Sequence, residues 1–318
     1  MIMSEFSKKP KKSKPAEPKL WLGYVFGMLG AAFFATKGII IKLAIIENVD
    51  ALTTLTWRMI IAVPFFIIIG YSGYRARKKK NADFSIPNDA ILKTALLGMV
   101  GYYIASYLDF AGLEYISAQF DRLILLTYPF FVVLFGAIFF GRKVSFAMIA
   151  SLLISYSGLA LIFAYDFKTD GTNTIIGALL VLGAAIAYAF YQLFAKPLID
   201  IMGARIFTSI ALSAAGFAVI VHFLLINDIS DLILSQNAMW LMLAIGTIST
   251  IVPAYLIATS IGIIGAEPTA VMGNIAPIIT IALAVFILGE TFSLFHAGGA
   301  VLVLLGMFAF TYFERRKT

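Results

Sequence analysis

The sequence contains no cysteine and only two histidines, His222 and His296. Without cysteine the chain has no disulfide and no zinc site built on thiolates, and the two histidines lie too far apart for a local metal motif. The Gly-x-Ser-x-Gly and His-Glu-x-x-His motifs of hydrolases are also missing, as is the phosphate-binding loop of nucleotide-driven pumps. We therefore expect no catalytic residues, no metal and no cofactor.

Charged residues are scarce: they make up 13% of the 318 residues, whereas hydrophobic residues make up 61%. An average soluble domain carries roughly 25% charged residues and much less apolar content. So few charges cannot form the polar shell that a soluble core of this size would need. Apolar stretches of about 20 residues, long enough to cross a bilayer, recur from Trp21 onward. The composition predicts a single membrane domain surrounded by the lipid bilayer.

Basic residues exceed acidic ones, which gives a formal net charge of +7. The lysines are concentrated in short flanking segments rather than on an aromatic-interleaved surface, so we expect no binding to nucleic acid. Residues 1–20, rich in lysine, proline and serine, are predicted to form a disordered basic tail. The apolar run that follows is too long for the core of a cleaved signal peptide, and it is predicted to remain as the first helix.

Apolar runs separated by turn and charge signals predict an all-α membrane protein with ten transmembrane helices. The connections are short, which leaves no soluble domain for ordinary enzymology. The predicted helices are Trp21–Ile46, Leu52–Tyr71, Ala90–Phe110, Ser117–Phe140, Phe146–Ala164, Ile175–Ala195, Arg205–Ile226, Ala238–Ile263, Pro268–Leu288 and Phe292–Phe313.

Lysine and arginine in the short loops set the expected orientation, because they favour the cytoplasmic side of a membrane. Placing the basic tail inside also places the basic residues of segments 75–80 and 315–317 inside, whereas the opposite connections carry mostly aspartate and glutamate. Both termini are therefore predicted to be cytoplasmic, in a multi-pass protein of the cell (cytoplasmic) membrane.

Two segments of the chain match each other in the placement of proline and glycine. Pro277 follows Pro129 by 148 positions, and Gly289 follows Gly141 by the same interval. Residues 21–165 and 174–313 are therefore predicted to be two homologous halves of five helices each. An odd number of crossings gives the second half the opposite orientation, which is the inverted repeat typical of secondary carriers.

The chain resembles the drug/metabolite transporter superfamily, specifically its EamA-like ten-helix branch, over about residues 20–315. The resemblance rests on the paired segments Ala118–Ser145 and Ala266–Ser293, each with small residues, a mid-helix proline and a closing glycine, and on Arg58 in the second helix. The first copy departs at Gly141-Arg142, where the family usually has Gly-Glu. The resemblance implies export or exchange of small metabolites such as amino acids.

Polar residues inside the predicted helices are candidates for substrate binding, because burying them in lipid is costly. Lys37 is the deepest charged residue, and helices three and six place hydroxyl groups and an amide at one-turn spacing. The alternative is that Lys37 pairs structurally and that the others make hydrogen bonds between packed helices. The candidate substrate-binding residues are Lys37, Tyr102, Ser106, Tyr128, Tyr188, Tyr191, Gln192 and Asn274.

A second group of charged residues is expected at similar depth near the outer helix ends. Such a group could form an ion-pair network that closes an outer gate when formed and opens it when broken. The alternative is a set of interfacial salt bridges that hold helix ends. The predicted network consists of Lys42, Arg58, Asp109, Glu114, Asp121 and Arg122.

Pro129 and Pro277 are predicted helix breaks, because each removes a backbone hydrogen bond inside an apolar helix. The carbonyl groups freed in this way could coordinate a substrate. Alternatively, the prolines kink the helices only for packing.

These patterns favour a secondary transporter that works by alternating access, with a small molecule as substrate, protons as the candidate coupling ion and a homodimer as the candidate assembly. One alternative is an organic anion or nucleotide-sugar exchanger that uses Lys37, Arg58 and Arg122 as ligands, which unpaired arginines would favour. The alternative from another class is an intramembrane enzyme. A channel is disfavoured because nothing in the sequence resembles a selectivity filter.

Overall fold

A computed structural model describes residues 20–141, 144–264, 269, 272 and 275–315. All regular elements within these ranges are helices. Three predicted features fall outside the described residues: the basic tail up to residue 19, the departure at Arg142, and the candidate ligand Asn274.

The helices are α1 Leu20–Ala35, α2 Lys37–Ile46, α3 Ala51–Lys80, α4 Asn88–Gly98, α5 Ala105–Gly112, α6 Ala118–Leu125, α7 Tyr128–Phe140, α8 Phe146–Asp170, α9 Thr172–Met202, α10 Ala204–Ile226, α11 Gln236–Gly246, α12 Val252–Ile264, α13 Ala276–Leu288 and α14 Leu294–Arg315. Two π-helical segments, Met99–Ile104 and Thr247–Ile251, join α4 to α5 and α11 to α12. A short 3₁₀ turn, Ile229–Leu232, lies between α10 and α11.

Within the described ranges, eight helical stretches are long and apolar enough to cross a membrane. Two shorter apolar helices, Ala276–Leu288 and Leu294–Phe310, follow them. The prediction of an all-α membrane protein is thereby confirmed.

Helix α3 corresponds to the second predicted helix, Leu52–Tyr71. It is longer than the sequence predicted, because it continues from Tyr71 to Lys80. Lysine and arginine are good helix formers, and the last turn holds Arg77 and three lysines next to the negative end of the helix dipole. An apolar pattern marks only the part of a helix that contacts lipid or core. The polar extension of α3 was therefore predicted as loop.

Glycine ends two helices in the same way. Gly141 follows α7 with φ 63°, and Gly289 follows α13 with φ 67°. Both angles lie in the left-handed region, where a side chain is unfavourable and glycine is the usual residue. The sequence prediction that these two glycines end helices is confirmed.

The helices pack in a paired pattern. The partners are α3 with α10, α8 with α14, α1 with α12, α5 with α9, α4 with α10, and α11 with α3. A buried apolar cluster that includes Ile41, Leu55, Phe110 and Phe223 joins α2, α3, α5 and α10. This cluster lies directly beside the charged residues described below.

The connections at one end of the bundle are tied together by acidic side chains, and we call this the acidic end, defined by Glu47, Glu114, Asp166 and Glu290. The Glu114 carboxylate accepts a hydrogen bond from the Ala51 N–H at 2.9 Å, which caps α3. Asp166 Oδ1 lies 3.0 Å from His296 Nε2 and joins α8 to α14. Ser235 donates to Glu47 at 3.3 Å.

Glu290 makes the most extensive of these links. Its carboxylate accepts from the N–H groups of Ala118 at 2.6 Å and Gln119 at 3.3 Å, so it caps the start of α6. Burial raises the pKa of Glu290, while the two backbone donors and the Lys42 ammonium act in the opposite direction. The connection between α13 and α14 is thus fixed to the first turn of α6.

We predict that Gly98→Ala lowers stability, because a Cβ on Gly98 would collide with the backbone carbonyl oxygen of Ala211 in α10. Overpacking of this kind costs about 1–3 kcal/mol, seen as a lower Tm in detergent. Gly298→Ala is the matched control, since its Cβ would lie 3.6 Å from Leu161 Cδ2, an ordinary contact. Equal Tm values for the two variants would contradict close packing of α4 on α10.

We predict that Glu290→Ala costs about 1–2 kcal/mol, because two N–H groups of α6 lose their acceptor. Glu290→Gln keeps an acceptor and removes the buried charge. Since the folded-state pKa of Glu290 is raised, its stabilising contribution is fully present below its usual pKa of about 4.3 and is lost as the pH rises through the folded value. The Tm of Glu290→Gln relative to wild type should therefore increase from pH 4 to pH 8. A decrease would mean that the charged carboxylate is the better cap.

Candidate functional site

A buried ion pair forms the centre of the candidate site. Lys37 is the first residue of α2, directly after the break at Thr36, and its Nζ lies 2.6 Å from Asp109 Oδ2 on α5. The ammonium also lies 5.7 Å from the ring centroids of both Phe34 and Phe110. Two aromatic faces and one carboxylate therefore surround the Lys37 charge, which suits a cation out of contact with water.

Asp121 and Arg122 on α6 are buried beside this pair. Asp121 interacts electrostatically with Asp109, Lys37 and Arg122. The Oδ1 atoms of Asp109 and Asp121 have no hydrogen-bond partner within the described part of the chain. The two carboxyl groups lie close enough to hydrogen-bond each other, which requires that one of them carries a proton.

The hydrogen bonds of the Arg122 guanidinium to described residues are long and go to neutral groups. It donates to Thr280 Oγ1 at 3.4 Å and to the Phe34 carbonyl oxygen at 3.5 Å, and its Cζ atom lies 5.3 Å from the Phe34 ring centroid. Thr280 is on α13, so Arg122 connects the first half of the chain to the second.

Arg58 on α3 is the third buried cation. Its Nε donates to Thr250 Oγ1 at 3.0 Å and its Nη1 to Ser106 Oγ at 3.3 Å, and its guanidinium lies 5.6 Å from the Phe110 ring centroid. The salt bridges found among the described residues do not include Arg58 or Arg122. We call Lys37, Arg58, Asp109, Asp121 and Arg122 the charged cluster.

The charged cluster differs in membership from the network that the sequence predicted. Four predicted members come together, and Lys37 joins them through Asp109. Glu114 instead caps α3, and Lys42 faces Glu290 at the acidic end. A helical repeat alone cannot separate residues that share a depth but point to different neighbours, so Lys42 and Glu114 were grouped with the others.

The predicted tyrosines form a second group, which we call the tyrosine cluster: Tyr102, Tyr128, Tyr188 and Tyr191. The Tyr191 hydroxyl donates to the Tyr102 hydroxyl at 3.1 Å, and their ring centroids lie 5.0 Å apart. Tyr188 stacks on Tyr191 at 5.9 Å and meets Tyr128 edge-on at 5.0 Å. Gln192 Nε2 donates to the Tyr188 hydroxyl at 2.9 Å.

Arg58 links the two clusters. It interacts electrostatically with both Tyr102 and Asp109, and it hydrogen-bonds Ser106, one turn along from Tyr102. Seven of the eight predicted substrate-binding residues therefore lie in or next to one continuous polar path through the apolar bundle, and the eighth, Asn274, lies outside the described residues.

Two residues beside Arg58 belong to the π-helical segments. Tyr102 belongs to Met99–Ile104 and Thr250 to Thr247–Ile251. Thr250 Oγ1 donates to the Ile245 carbonyl oxygen at 2.8 Å, so this carbonyl group has a hydrogen-bond partner at the wider turn. Short π-helical stretches are rare and occur frequently at functional sites.

Sequence reasoning missed four residues of the site: Thr250, Thr280, Phe34 and Phe110. Thr250 could have been found, because it follows Tyr102 by the same 148 positions that separate the paired prolines. The two phenylalanines carried no signal, since cation–π contacts depend on tertiary packing.

The predicted helix breaks lie close to the prolines. The chain is non-helical between Leu125 and Tyr128, and Pro129 falls in the first turn of α7. Pro277 falls likewise in the first turn of α13. Proline is well suited to the first helical turn, where its missing N–H costs nothing. Both prolines start a helix segment rather than kink one.

Metal ligands do not cluster in this structure: among the described residues, no group of three or more His, Asp or Glu side chains could hold a metal ion.

Comparisons with known proteins agree with this architecture. The chain matches the EamA-like transporter family over residues 21–164 and 175–312. It is 28% identical over 302 residues to the protein of Bacillus subtilis (strain 168) called uncharacterized transporter YcbK, with 90% of this chain and 92% of that protein covered. It is 23% identical over 288 residues to an uncharacterized transporter of Clostridium kluyveri, with 89% and 91% covered.

A solved crystal structure superposes on the chain with a TM-score of 0.59 at 17% sequence identity, covering 92% of this chain and 98% of that one. At this identity the likeness concerns the fold alone. The family match covers most of the sequence and the relatives are named transporters. The chain is therefore a multi-pass membrane transporter and belongs to the EamA-like transporter family.

Proposed function

We propose that this transporter is a secondary carrier that exports or exchanges small organic metabolites such as amino acids by alternating access. The observation that carries the proposal is the continuous polar path, in which the charged cluster at one level adjoins the tyrosine cluster at the next. Buried charges are expensive inside a membrane and usually mark a substrate or ion pathway.

The proposal includes ten membrane spans in two inverted halves, with both termini in the cytoplasm. The packing supports it. In the proposed repeat, α1 corresponds to α9, α3 to α10, α4 and α5 to α11 and α12, and α8 to α14. With this correspondence, the contact of α1 with α12 matches the contact of α9 with α5, and the contact of α4 with α10 matches the contact of α11 with α3. The helices α3 with α10 and α8 with α14 pair with their own counterparts. Inverted repeats of this kind hold a substrate site between them.

The charged cluster is the proposed gate on the acidic side. Lys37 and Asp109 bring α2 and α5 together, and Arg122 reaches Phe34 before the break in the first span and Thr280 on α13. Breaking these contacts would separate helices from both halves at the same level. A network that contains one ion pair and several long contacts can break and form again at modest cost, as a gate requires.

The tyrosine cluster is the proposed substrate site. Aromatic faces bind the ammonium group or an apolar side chain of a metabolite, and the hydroxyls and the Gln192 amide supply hydrogen bonds. The neighbouring carboxyl groups of Asp109 and Asp121, which can hydrogen-bond each other only when one of them is protonated, make protons the candidate coupling ion. The proposed location is the cytoplasmic membrane.

Uptake by proteoliposomes tests this function. Purified protein should give saturable uptake of at least one of the twenty radiolabelled amino acids, with the rate changed by a pH gradient. Tyr128→Ala should raise the half-saturation concentration by about 10-fold, because this factor corresponds to the free energy of a buried contact between an aromatic ring and a cation. Tyr24→Ala is the control, because Tyr24 is exposed on α1. Absence of saturable uptake for all twenty would remove amino acids from the proposal.

The gate is tested with Lys37→Met and Asp109→Leu, made singly and together. Each single change leaves its partner's charge buried and should cost about 3–5 kcal/mol, whereas the double variant should regain most of the lost Tm. Because the native chain has no cysteine, a thiol introduced by Ser106→Cys can report access from outside. A membrane-impermeant maleimide should label that thiol about 10-fold faster in the double variant. The reason is that losing about 1.4 kcal/mol of the free energy that favours the closed state raises the open population by this factor.

Asn237→Cys is the control for the gate, since Asn237 is exposed in the first turn of α11. Its labelling rate should be equal in both backgrounds. If Ser106→Cys is labelled at the same rate with and without the ion pair, then Lys37 and Asp109 hold the fold and do not gate it.

A further inference from the structure

Arg58 is a buried cation whose hydrogen-bond partners are all neutral. Its relative exposure is 7%, and it donates to Thr250 Oγ1 and Ser106 Oγ. The acid that acts on it electrostatically is Asp109, and Asp109 Oδ2 is already bound to Lys37 Nζ at 2.6 Å. An arginine side chain keeps its proton in proteins. Within the part of the chain that the structure describes, this full positive charge therefore has no ion-pair partner of its own.

The charged cluster carries a positive excess, because three cations meet only two carboxyl groups. Enclosed excess charge costs several kcal/mol in a membrane protein unless an anion neutralises it. A carboxylate supplies a negative charge that offsets this excess.

The geometry around Arg58 suits a carboxylate as well. A guanidinium has five N–H donors, and planar carboxylates bind two of them side by side. Nε and one Nη1 donor of Arg58 are in use, and the described residues offer no hydrogen-bond acceptor to its Nη2 donors or its second Nη1 donor. The Ser106 and Tyr102 hydroxyls stand next to them and can donate to the same anion.

We infer that the transported solute carries a carboxylate and that Arg58 binds this group. Arg122 does not fill this role, because Asp121 directly precedes it on α6 and interacts with it electrostatically. The tyrosine cluster then receives the remainder of the solute. This inference rests on the proposed function and moves Arg58 from the gate to the substrate site.

Thermal stabilisation of the purified protein in detergent tests the inference without requiring transport. The probes are benzoate, phenylacetate and L-phenylalanine, each beside its uncharged-end counterpart: benzamide, phenylacetamide and L-phenylalaninamide. At least one carboxylate should raise the Tm of the wild type, with an apparent Kd about 10-fold or more below that of its amide, since hydrogen bonds to charged groups exceed neutral ones by this much.

Arg58→Gln should abolish the preference for the carboxylate, and Arg58→Lys should retain part of it, because a lysine keeps the charge without the planar fork. Arg75→Gln is the matched control on the same helix, since Arg75 is exposed at the far end of α3, and should behave as wild type. If Arg58→Gln fails to fold, Thr250→Val serves instead: it removes the Nε partner of Arg58 and should weaken carboxylate binding by about 3- to 10-fold with little effect on amides.

Two outcomes overturn the inference: none of the three carboxylates stabilises the wild type, or Arg58→Gln and Thr250→Val both keep the wild-type preference for carboxylates over amides. Neither outcome contradicts the proposed carrier function, which is contradicted separately if proteoliposomes show no saturable uptake. Carboxylate binding without uptake would leave Arg58 as the anion site of a protein that is not an amino acid carrier.

Discussion

The need to neutralise charge inside an apolar helix bundle governs this structure. Lys37 cannot lie in the first span unless a carboxylate meets it, and Asp109 supplies that carboxylate at 2.6 Å. Because the cost of an unpaired buried charge is several kcal/mol, the contact also fixes how α2 sits against α5. The phenylalanines around the pair and the break at Thr36 follow from the same requirement, since both let an ammonium group be enclosed without water.

The polar path unites features that look unrelated in isolation. The π-helical segments, the interrupted fourth span and the glycine contacts each depart from a regular α-helix, and each departure allows a polar group or a neighbouring helix into the centre. Arg58 is the meeting point, because Thr250 from the second half and Ser106 from the first bind the same guanidinium. Regular packing alone would have filled this space with leucine and isoleucine.

Much of the fold could be read from the sequence, because lipid imposes a length and composition on every helix that crosses it. The helix-ending glycines at 141 and 289 also followed from spacing, whereas the tyrosines could be named as candidates but not as one cluster. The sequence could not reveal the end of α3 at Lys80, since the helix leaves the apolar pattern before it ends. Nor could it separate Glu114 and Lys42 from the charged cluster, because partners there are chosen by side-chain direction and not by depth.

The matching π-helical segments bear on how the chain arose. A π turn closes around one more residue than an α turn, so each segment amounts to one residue inserted into a continuous helix. Met99–Ile104 and Thr247–Ile251 follow Gly98 and Gly246, which are again 148 positions apart. If the two halves arose by the proposed duplication, a shared insertion at one place in both would be older than the duplication. A protein with a single copy would then already have carried this distortion at its centre.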